Sequence, residues 1–139
     1  MTTDKTVRVL VADDDRLLRT AAVTTLRRAG FEVLAAADGE EAVALARAER
    51  PDLILLDLVM PKVDGFAALA RLKDDPATRE IAVIVLSNLG AESDQRIATA
   101  AGTAGFFVKA SLSLADLVAE VRKALRSPSE STRPGSLPR

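Results

Sequence analysis

Short apolar runs alternate with longer segments of helical periodicity along most of this chain, and that alternation constrains the fold more than any other feature. The run at residues 52–57 is apolar between two carboxylates, which is typical of a strand that is buried on both faces of a sheet. Further strands are predicted at residues 7–12, 31–36, 81–86 and 104–108.

Helices are predicted between and after these strands. Gly30 and the pair Asp75–Pro76 are expected to end the first and third helices. Two helix starts have the form of capping boxes, at residues 38–41 and 113–116. The predicted helices span residues 15–29, 38–49, 66–73, 91–101 and 114–125, and only a weak apolar stripe supports the fourth. Five strands alternating with five helices predict a doubly wound α/β fold with helices on both faces of a parallel sheet.

The chain of 139 residues contains no histidine and no cysteine, and this removes several classes of site. Without histidine there is no imidazole general base, no Ser-His-Asp triad and no ordinary zinc site. Without cysteine there is no disulfide, thiolate metal site or cysteine nucleophile. Any chemistry must therefore depend on carboxylates, hydroxyls, lysine and arginine.

Charge and hydropathy argue against nucleic-acid and membrane partners. Nineteen basic residues balance twenty acidic ones without a basic stripe, and four Phe with no Trp or Tyr offer few stacking surfaces. The N-terminal residues lack the apolar run of a signal peptide, and no stretch approaches membrane-spanning length. We expect a cytoplasmic protein that binds neither a membrane nor nucleic acid directly.

The composition changes near residue 127. Residues 127–139 are rich in Ser, Pro, Gly and Arg, and they lack the apolar surface that an ordered segment would bury. We expect residues 1–126 to form one domain and residues 127–139 to be a flexible tail or the start of a linker.

Polar side chains of complementary chemistry follow four of the five predicted strands. Three aspartates, residues 13–15, end the first strand, and Asp57, Ser87 and Lys109 end the third, fourth and fifth. Because ligands of open α/β sheets bind at the carboxyl edge of the strands, we expect these side chains to meet. Clustered carboxylates need a cation, and their hard oxygen donors suit Mg²⁺. An aspartate nucleophile, a metal, an ammonium and a hydroxyl together predict a phosphoryl-transfer site.

Several of these residues, taken singly, also have a structural interpretation. Asp14 or Asp15 could cap the following helix, Lys109 could be a solvated surface residue, and Ser87 could belong to a turn. Asp57 is the exception, because a carboxylate that ends an apolar run lies near the core and needs a partner. Their joint arrival at one edge of the sheet is what favours a functional site.

Four segments resemble the receiver domain of bacterial two-component response regulators. They are VLVADDD at residues 9–15, LDLVMPKVDG at 56–65, LS at 86–87 and FFVK at 106–109. The resemblance runs from about residue 7 to residue 126. It implies a flavodoxin-like (βα)5 fold with strand order 2-1-3-4-5, and phosphorylation by a sensor histidine kinase or a phosphotransfer protein. A phospho-acceptor of this kind is a signalling module rather than an enzyme.

The resemblance also implies a role for each acidic residue. Asp57 would be the phospho-acceptor. Asp14 would ligate Mg²⁺ (or Mn²⁺) directly, and Asp13 would do so largely through water. Asp57 itself and the backbone carbonyl of Val59 would complete the protein ligands.

The same resemblance implies a conformational switch. Lys109 would pair with the phosphoryl group and Ser87 would swing in to hydrogen-bond it, while Phe106 rotates between outward and inward states. The face around the last strand would then bind a downstream protein or, on phosphorylation, a second copy of the chain. The sequence departs from the common pattern at Ala110, where many receivers have proline, and at Asn88, where a small residue is usual.

Val59 and Leu89 occupy positions that influence hydrolysis of the phosphorylated form in this family. Both are apolar here, and neither can orient an attacking water. We therefore expect a long-lived phosphorylated state, which rapid loss of label from the purified phosphoprotein would contradict.

Three other interpretations stay open. The chain could be the receiver part of a larger DNA-binding response regulator, with residues 127–139 as the start of a linker. It could be an aspartyl-phosphate hydrolase of the haloacid-dehalogenase type, although such enzymes place a second Asp where Val59 stands. It could also be a binding module that works without phosphate.

Overall fold

One five-stranded parallel sheet organises the computed structural model, which describes residues 6–58, 64–87, 96 and 99–126. The strands are β1 (Arg8–Ala12), β2 (Glu32–Ala36), β3 (Leu53–Asp57), β4 (Ala82–Ser87) and β5 (Gly105–Val108). The helices are α1 (Arg16–Arg28), α2 (Gly39–Glu49), α3 (Gly65–Asp74) and α4 (Leu114–Arg126), with a 3-10 turn at Lys109–Ser111. All five predicted strands are confirmed to within one residue at each end. The predicted tail and most of the predicted helix at 91–101 lie outside the described residues.

The strand order is β2-β1-β3-β4-β5, and every pair is parallel. The order 2-1-3-4-5 that the resemblance implied is therefore confirmed. From β1 the chain moves to one edge of the sheet and then returns to build β3, β4 and β5 on the other side. Ala12 of β1 is in register with Leu56 of β3, so the two strands end together where the order reverses. Open α/β sheets bind ligands at this point.

Helices cover both faces of the sheet, and each face has its own apolar core. On one face, α1 and α4 contribute buried residues such as Leu26 and Val121. On the other face, α2 and α3 contribute buried residues such as Ala46 and Leu72. The central strand β3 faces both cores and is buried along its whole length, which explains why its sequence is apolar without alternation.

The helix ends follow the local signals closely. Asp15 is the N-cap of α1, and its carboxylate accepts bonds from the backbone N–H groups of Leu17 at 3.0 Å and Leu18 at 3.1 Å. The capping role that was possible for either Asp14 or Asp15 therefore belongs to Asp15. Gly30, with φ of +104°, ends the turn after α1 as predicted.

Both predicted capping boxes form, one of them with a shifted partner. Ser113 Oγ accepts from the Asp116 N–H at 3.0 Å, and Asp116 Oδ2 accepts from the Ser113 N–H at 3.3 Å. Asp38 accepts from the Glu41 N–H at 2.8 Å, but the Glu41 carboxylate reaches back to the N–H of Ala37, one residue before the cap. In the part of the chain that the structure describes, no helix has the length and apolar character to cross a membrane.

Candidate functional site

Three carboxylates meet at the carboxyl edge where β1 and β3 end. Asp13 and Asp14 follow β1 directly, and Asp57 is the last residue of β3. One oxygen of each lies within 4.8 Å of the others. Asp13 and Asp57 are only 6% and 3% exposed, whereas Asp14 is exposed. Three hard oxygen donors at this spacing, one of them open to solvent, fit a divalent cation that retains several waters.

Lys109 connects this cluster to the last strand. Its ammonium donates to Asp13 Oδ2 at 2.9 Å and to Asp57 Oδ2 at 3.2 Å, and its side chain is only 11% exposed. Burial lowers the pKa of the Lys109 ammonium, but the hydrogen bonds and charges of Asp13 and Asp57 outweigh that effect, so the pKa lies above its ordinary value. Lys109 is therefore a charged member of the site and not the solvated surface residue that its type alone would suggest.

Ser87 and Phe106 flank the acidic cluster on the neighbouring strands. Ser87 is fully buried at the end of β4, one position beyond Leu86, which is the register partner of Asp57. Phe106 lies on β5 opposite Val85, and its half-buried ring packs against the core that α2 and α3 share. The four predicted strand ends thus do come together at one edge of the sheet.

Two residues that support the site were given no role in it by the sequence predictions. Arg19 of α1 donates from its guanidinium to the backbone carbonyl of Asp13 at 2.8 Å. Gly65, the first residue of α3, packs so closely that an added Cβ would lie 2.3 Å from the carbonyl oxygen of Asp57 and 2.2 Å from Leu58 Cα. The Asp-Gly pair of the quoted motif marked Gly65, but no local pattern in the sequence indicates the contact made by Arg19.

Several sequence predictions fall on residues that the structure does not describe. Val59, whose carbonyl was predicted to bind the metal, is one of them, as are Asn88 and Leu89. Their predicted roles stay predictions. The peptide between Lys109 and Ala110, where many receivers have proline, is described, and it is trans.

An apolar groove opens beside the cluster, between α1 and α4. Its volume is about 200 Å³, and Leu18, Leu114 and Leu117 line it together with Asp13 and Lys109. Leu18 and Leu114 are 46% and 44% exposed. The charged cluster is thus accessible along a surface that carries apolar side chains.

Comparison with known proteins agrees with this arrangement. The family model of the response regulator receiver domain matches residues 9–122. This range includes the whole sheet except Arg8, and most of α4. The chemotaxis protein CheY4 of Vibrio cholerae has a solved structure that aligns with a TM-score of 0.79 at 28% identity, covering 86% of this chain and 98% of CheY4.

Curated relatives include longer proteins. The chain is 38% identical over 119 residues to the DNA-binding dual master transcriptional regulator RpaA of Synechocystis, covering 86% of this chain and 49% of RpaA. It is 41% identical over 108 residues to the gliding motility regulatory protein of Myxococcus xanthus, covering 78% of this chain and 14% of that protein. The chain therefore spans about half, or less, of the length of these relatives. Domains of this family are in general not catalytic enzymes. The family match, the strand order and the carboxyl-edge cluster together identify this chain as a member of the receiver-domain family of two-component response regulators.

Proposed function

We propose that this chain accepts a phosphoryl group on Asp57 from a sensor histidine kinase or a phosphotransfer protein, in the cytoplasm and with the help of Mg²⁺ or Mn²⁺. One observation carries the proposal. Asp57 is buried at the end of the central strand, within 4.8 Å of two further carboxylates, and Lys109 contacts it at 3.2 Å. A carboxylate in this position is shielded from bulk water and lies at the carboxyl edge of the sheet.

The acidic residues would hold the cation. Asp13, Asp14 and Asp57 supply the oxygen donors, and the backbone carbonyl of Val59 is proposed as a further ligand. When bound, the divalent cation would neutralise negative charge on the phosphoryl oxygens. The exposed position of Asp14 leaves room for water on that side of the site.

The transfer itself is a substitution at phosphorus. An oxygen of Asp57 forms a bond to the phosphorus while the bond between phosphorus and the donor's imidazole nitrogen breaks, and the electron pair leaves with the imidazole. Lys109 brings a positive charge to the phosphoryl oxygens, and Ser87 would donate a hydrogen bond to one of them. Positioning and charge neutralisation do most of the work in such a reaction.

The phosphorylated state would be read through β5 and the elements beside it. Ser87 ends β4 and Phe106 lies on β5, in adjacent strands whose register joins Ser87 to Val108. A movement of Ser87 toward the phosphoryl group would therefore be coupled to the side chain of Phe106. The reader of this face would be a downstream protein or a second copy of the chain.

The test is intact mass after incubation with acetyl phosphate and Mg²⁺. We expect a phosphoryl adduct on the wild type that hydroxylamine removes, and no adduct on Asp57→Ala. Asp57→Asn is the matched control, because it keeps the shape of the side chain and replaces the nucleophilic carboxylate by a neutral amide. No adduct on the wild type with any donor or metal would overturn the proposal in favour of a module that works without phosphate. Turnover of a generic phosphomonoester would instead favour a hydrolase.

A receiver within a longer DNA-binding regulator is the second candidate. The observation that favours it is that the chain covers only 49% of RpaA, a DNA-binding regulator. The intact mass of the protein isolated from its native cells distinguishes the two, because a longer polypeptide would be found only in the second case.

A further inference from the structure

Asp13 is held by four hydrogen bonds from four different parts of the chain. Its backbone N–H donates to the carbonyl of Ala36 at 3.1 Å, at the end of β2. Its carboxylate accepts from the Asp15 N–H at 2.9 Å and from the Lys109 ammonium at 2.9 Å. Its backbone carbonyl accepts from the Arg19 guanidinium at 2.8 Å. The orientation of Asp13 is therefore fixed at every polar group that it has.

Arg19 differs from the other three partners because it ties the site to a helix. Its own backbone N–H donates to the carbonyl of Asp15 at 2.8 Å, in the first turn of α1. Its side chain then reaches back past Asp14 to the carbonyl of Asp13. Arg19 therefore hydrogen-bonds both ends of the segment Asp13–Asp15, which contains the two cation-binding aspartates of the proposed function.

The position of Arg19 runs against the usual preference of helices. Basic side chains near a helix N-terminus are disfavoured by the helix dipole, and acidic ones are favoured. The first turn of α1 nevertheless contains no acidic residue and begins with Arg16, followed by Arg19 one turn later. Arg19 is half-buried there, and its guanidinium donates a hydrogen bond to Asp13.

We propose that Arg19 is a positioning residue for the cation site, acting through the backbone of Asp13. Two nearly buried carboxylates within 4.8 Å of a third repel one another, and without restraint the Asp13–Asp15 turn would relax away from Asp57. The bond from Arg19 restrains this turn at the backbone carbonyl of Asp13, whereas Lys109 holds its carboxylate. This inference rests on the proposed function, and it adds a residue whose guanidinium hydrogen-bonds the backbone of Asp13 and not the acceptor or the carboxylate oxygens.

The test compares Arg19→Ala with Arg16→Ala, measuring the Mg²⁺ dissociation constant by titration calorimetry. Arg16 is an exposed arginine at the start of the same helix, so its removal takes the same charge from the same end of α1. We expect Arg19→Ala to weaken Mg²⁺ binding about tenfold, as loss of an outer partner of a metal ligand commonly does, and Arg16→Ala to change it less than about twofold. Arg19→Lys, which keeps the charge and one donor, should recover most of the affinity.

A second readout needs no metal. Amide hydrogen exchange in EDTA reports on the bond from the Asp15 N–H to Asp13, and we expect Arg19→Ala to accelerate this exchange while the β3 amides stay protected. If Arg19→Ala does not fold, Arg19→Gln serves for the same comparison.

Wild-type Mg²⁺ affinity and Asp15 exchange in Arg19→Ala would overturn the inference and leave the proposed function standing. Equal losses in Arg19→Ala and Arg16→Ala would overturn it as well, because charge alone would then account for the effect. Absence of Mg²⁺ binding by the wild type would overturn both the proposed function and this inference.

Discussion

At the scale of single residues, the carboxyl edge depends on a close approach between α3 and the peptide that follows Asp57. The backbone N–H of Gly65 donates to the carbonyl of Leu58 at 3.0 Å, and an added Cβ would meet backbone atoms at 2.2 Å and 2.3 Å. Backbone atoms cannot move aside as a flexible side chain can. A side chain at position 65 would therefore displace either α3 or the acceptor itself.

We predict that Gly65→Ala destabilises the protein by about 3 kcal/mol in urea denaturation, at the upper end of the usual cost of overpacking. It should also slow phosphorylation by acetyl phosphate, because the clash falls on the peptide of Asp57. Gly30→Ala is the control, since its added Cβ meets nothing within 4 Å and only the positive φ is strained, at about 1–2 kcal/mol. If Gly65→Ala had the stability and the phosphorylation rate of the wild type, the close contact of Gly65 with Asp57 and Leu58 would be contradicted.

Lys109 gives the site a defined pH dependence. Because its pKa in the folded state is raised above the ordinary value of 10.5, its contribution to stability is fully present below that value and is lost as the pH rises through the folded-state pKa. The stability difference between wild type and Lys109→Met, measured in EDTA, should be constant between about pH 7 and about pH 10 and should shrink above that range. If the stability difference instead grew as the pH rose above the ordinary lysine pKa, the pKa of Lys109 would not be raised by folding.

At the scale of elements, α1 and α4 border the groove that opens beside Asp13 and Lys109, and we propose that a protein phosphodonor docks there. Leu17 in the first turn of α1 is 81% exposed, and Leu18 and Leu114 beside the groove are about half exposed. Exposed large apolar residues close to a functional site favour a protein partner over a small solute.

We predict that Leu17→Gln slows phosphorylation by a cognate histidine phosphodonor about tenfold without changing phosphorylation by acetyl phosphate, which needs no docking surface. Because this side chain is so exposed, the substitution should leave thermal stability unchanged. Leu17→Met, which retains the apolar surface, is the matched variant and should transfer at nearly the wild-type rate. Equal slowing with both donors would mean that Leu17 acts on the site itself.

At the scale of the whole molecule, α4 completes the core that it shares with α1. Leu117 and Val121 of α4 are buried with Leu26 of α1 against the sheet, so the helix that ends at Arg126 is part of the fold. We propose residues 1–126 as the domain, with residues 127–139 as a tail or linker.

We predict that a chain truncated after Arg126 unfolds in one transition and retains the stability of the full chain within about 0.5 kcal/mol. Truncation after Leu117, which removes Val121 from the core, is the contrasting variant and should fail to fold. A marked loss of stability on removal of residues 127–139 alone would show that the domain extends beyond α4.

Much of the fold could be read from local pattern. The apolar run of β3 indicated a central buried strand because its residues need no polar face, and the Ser113 and Asp38 signals marked helix starts because a cap acts within three residues. The strand ends also predicted which side chains would share an edge, because the carboxyl ends of parallel strands all lie at the same edge of a sheet.

What only the tertiary structure decided are the contacts between residues that are far apart or differently oriented. Lys109 bridges Asp13 and Asp57, which are 96 and 52 positions away in the sequence. This contact depends on β1, β3 and β5 ending level with one another at the carboxyl edge of the sheet. The choice of Asp15 as the cap, the reach of Arg19 to Asp13 and the approach of Gly65 to Asp57 depend on side-chain direction and packing distance. The sequence by itself determined the helices and strands and the edge of the sheet at which the functional side chains lie, because both follow from short-range geometry. Packing in three dimensions decided which of the collected residues contact one another.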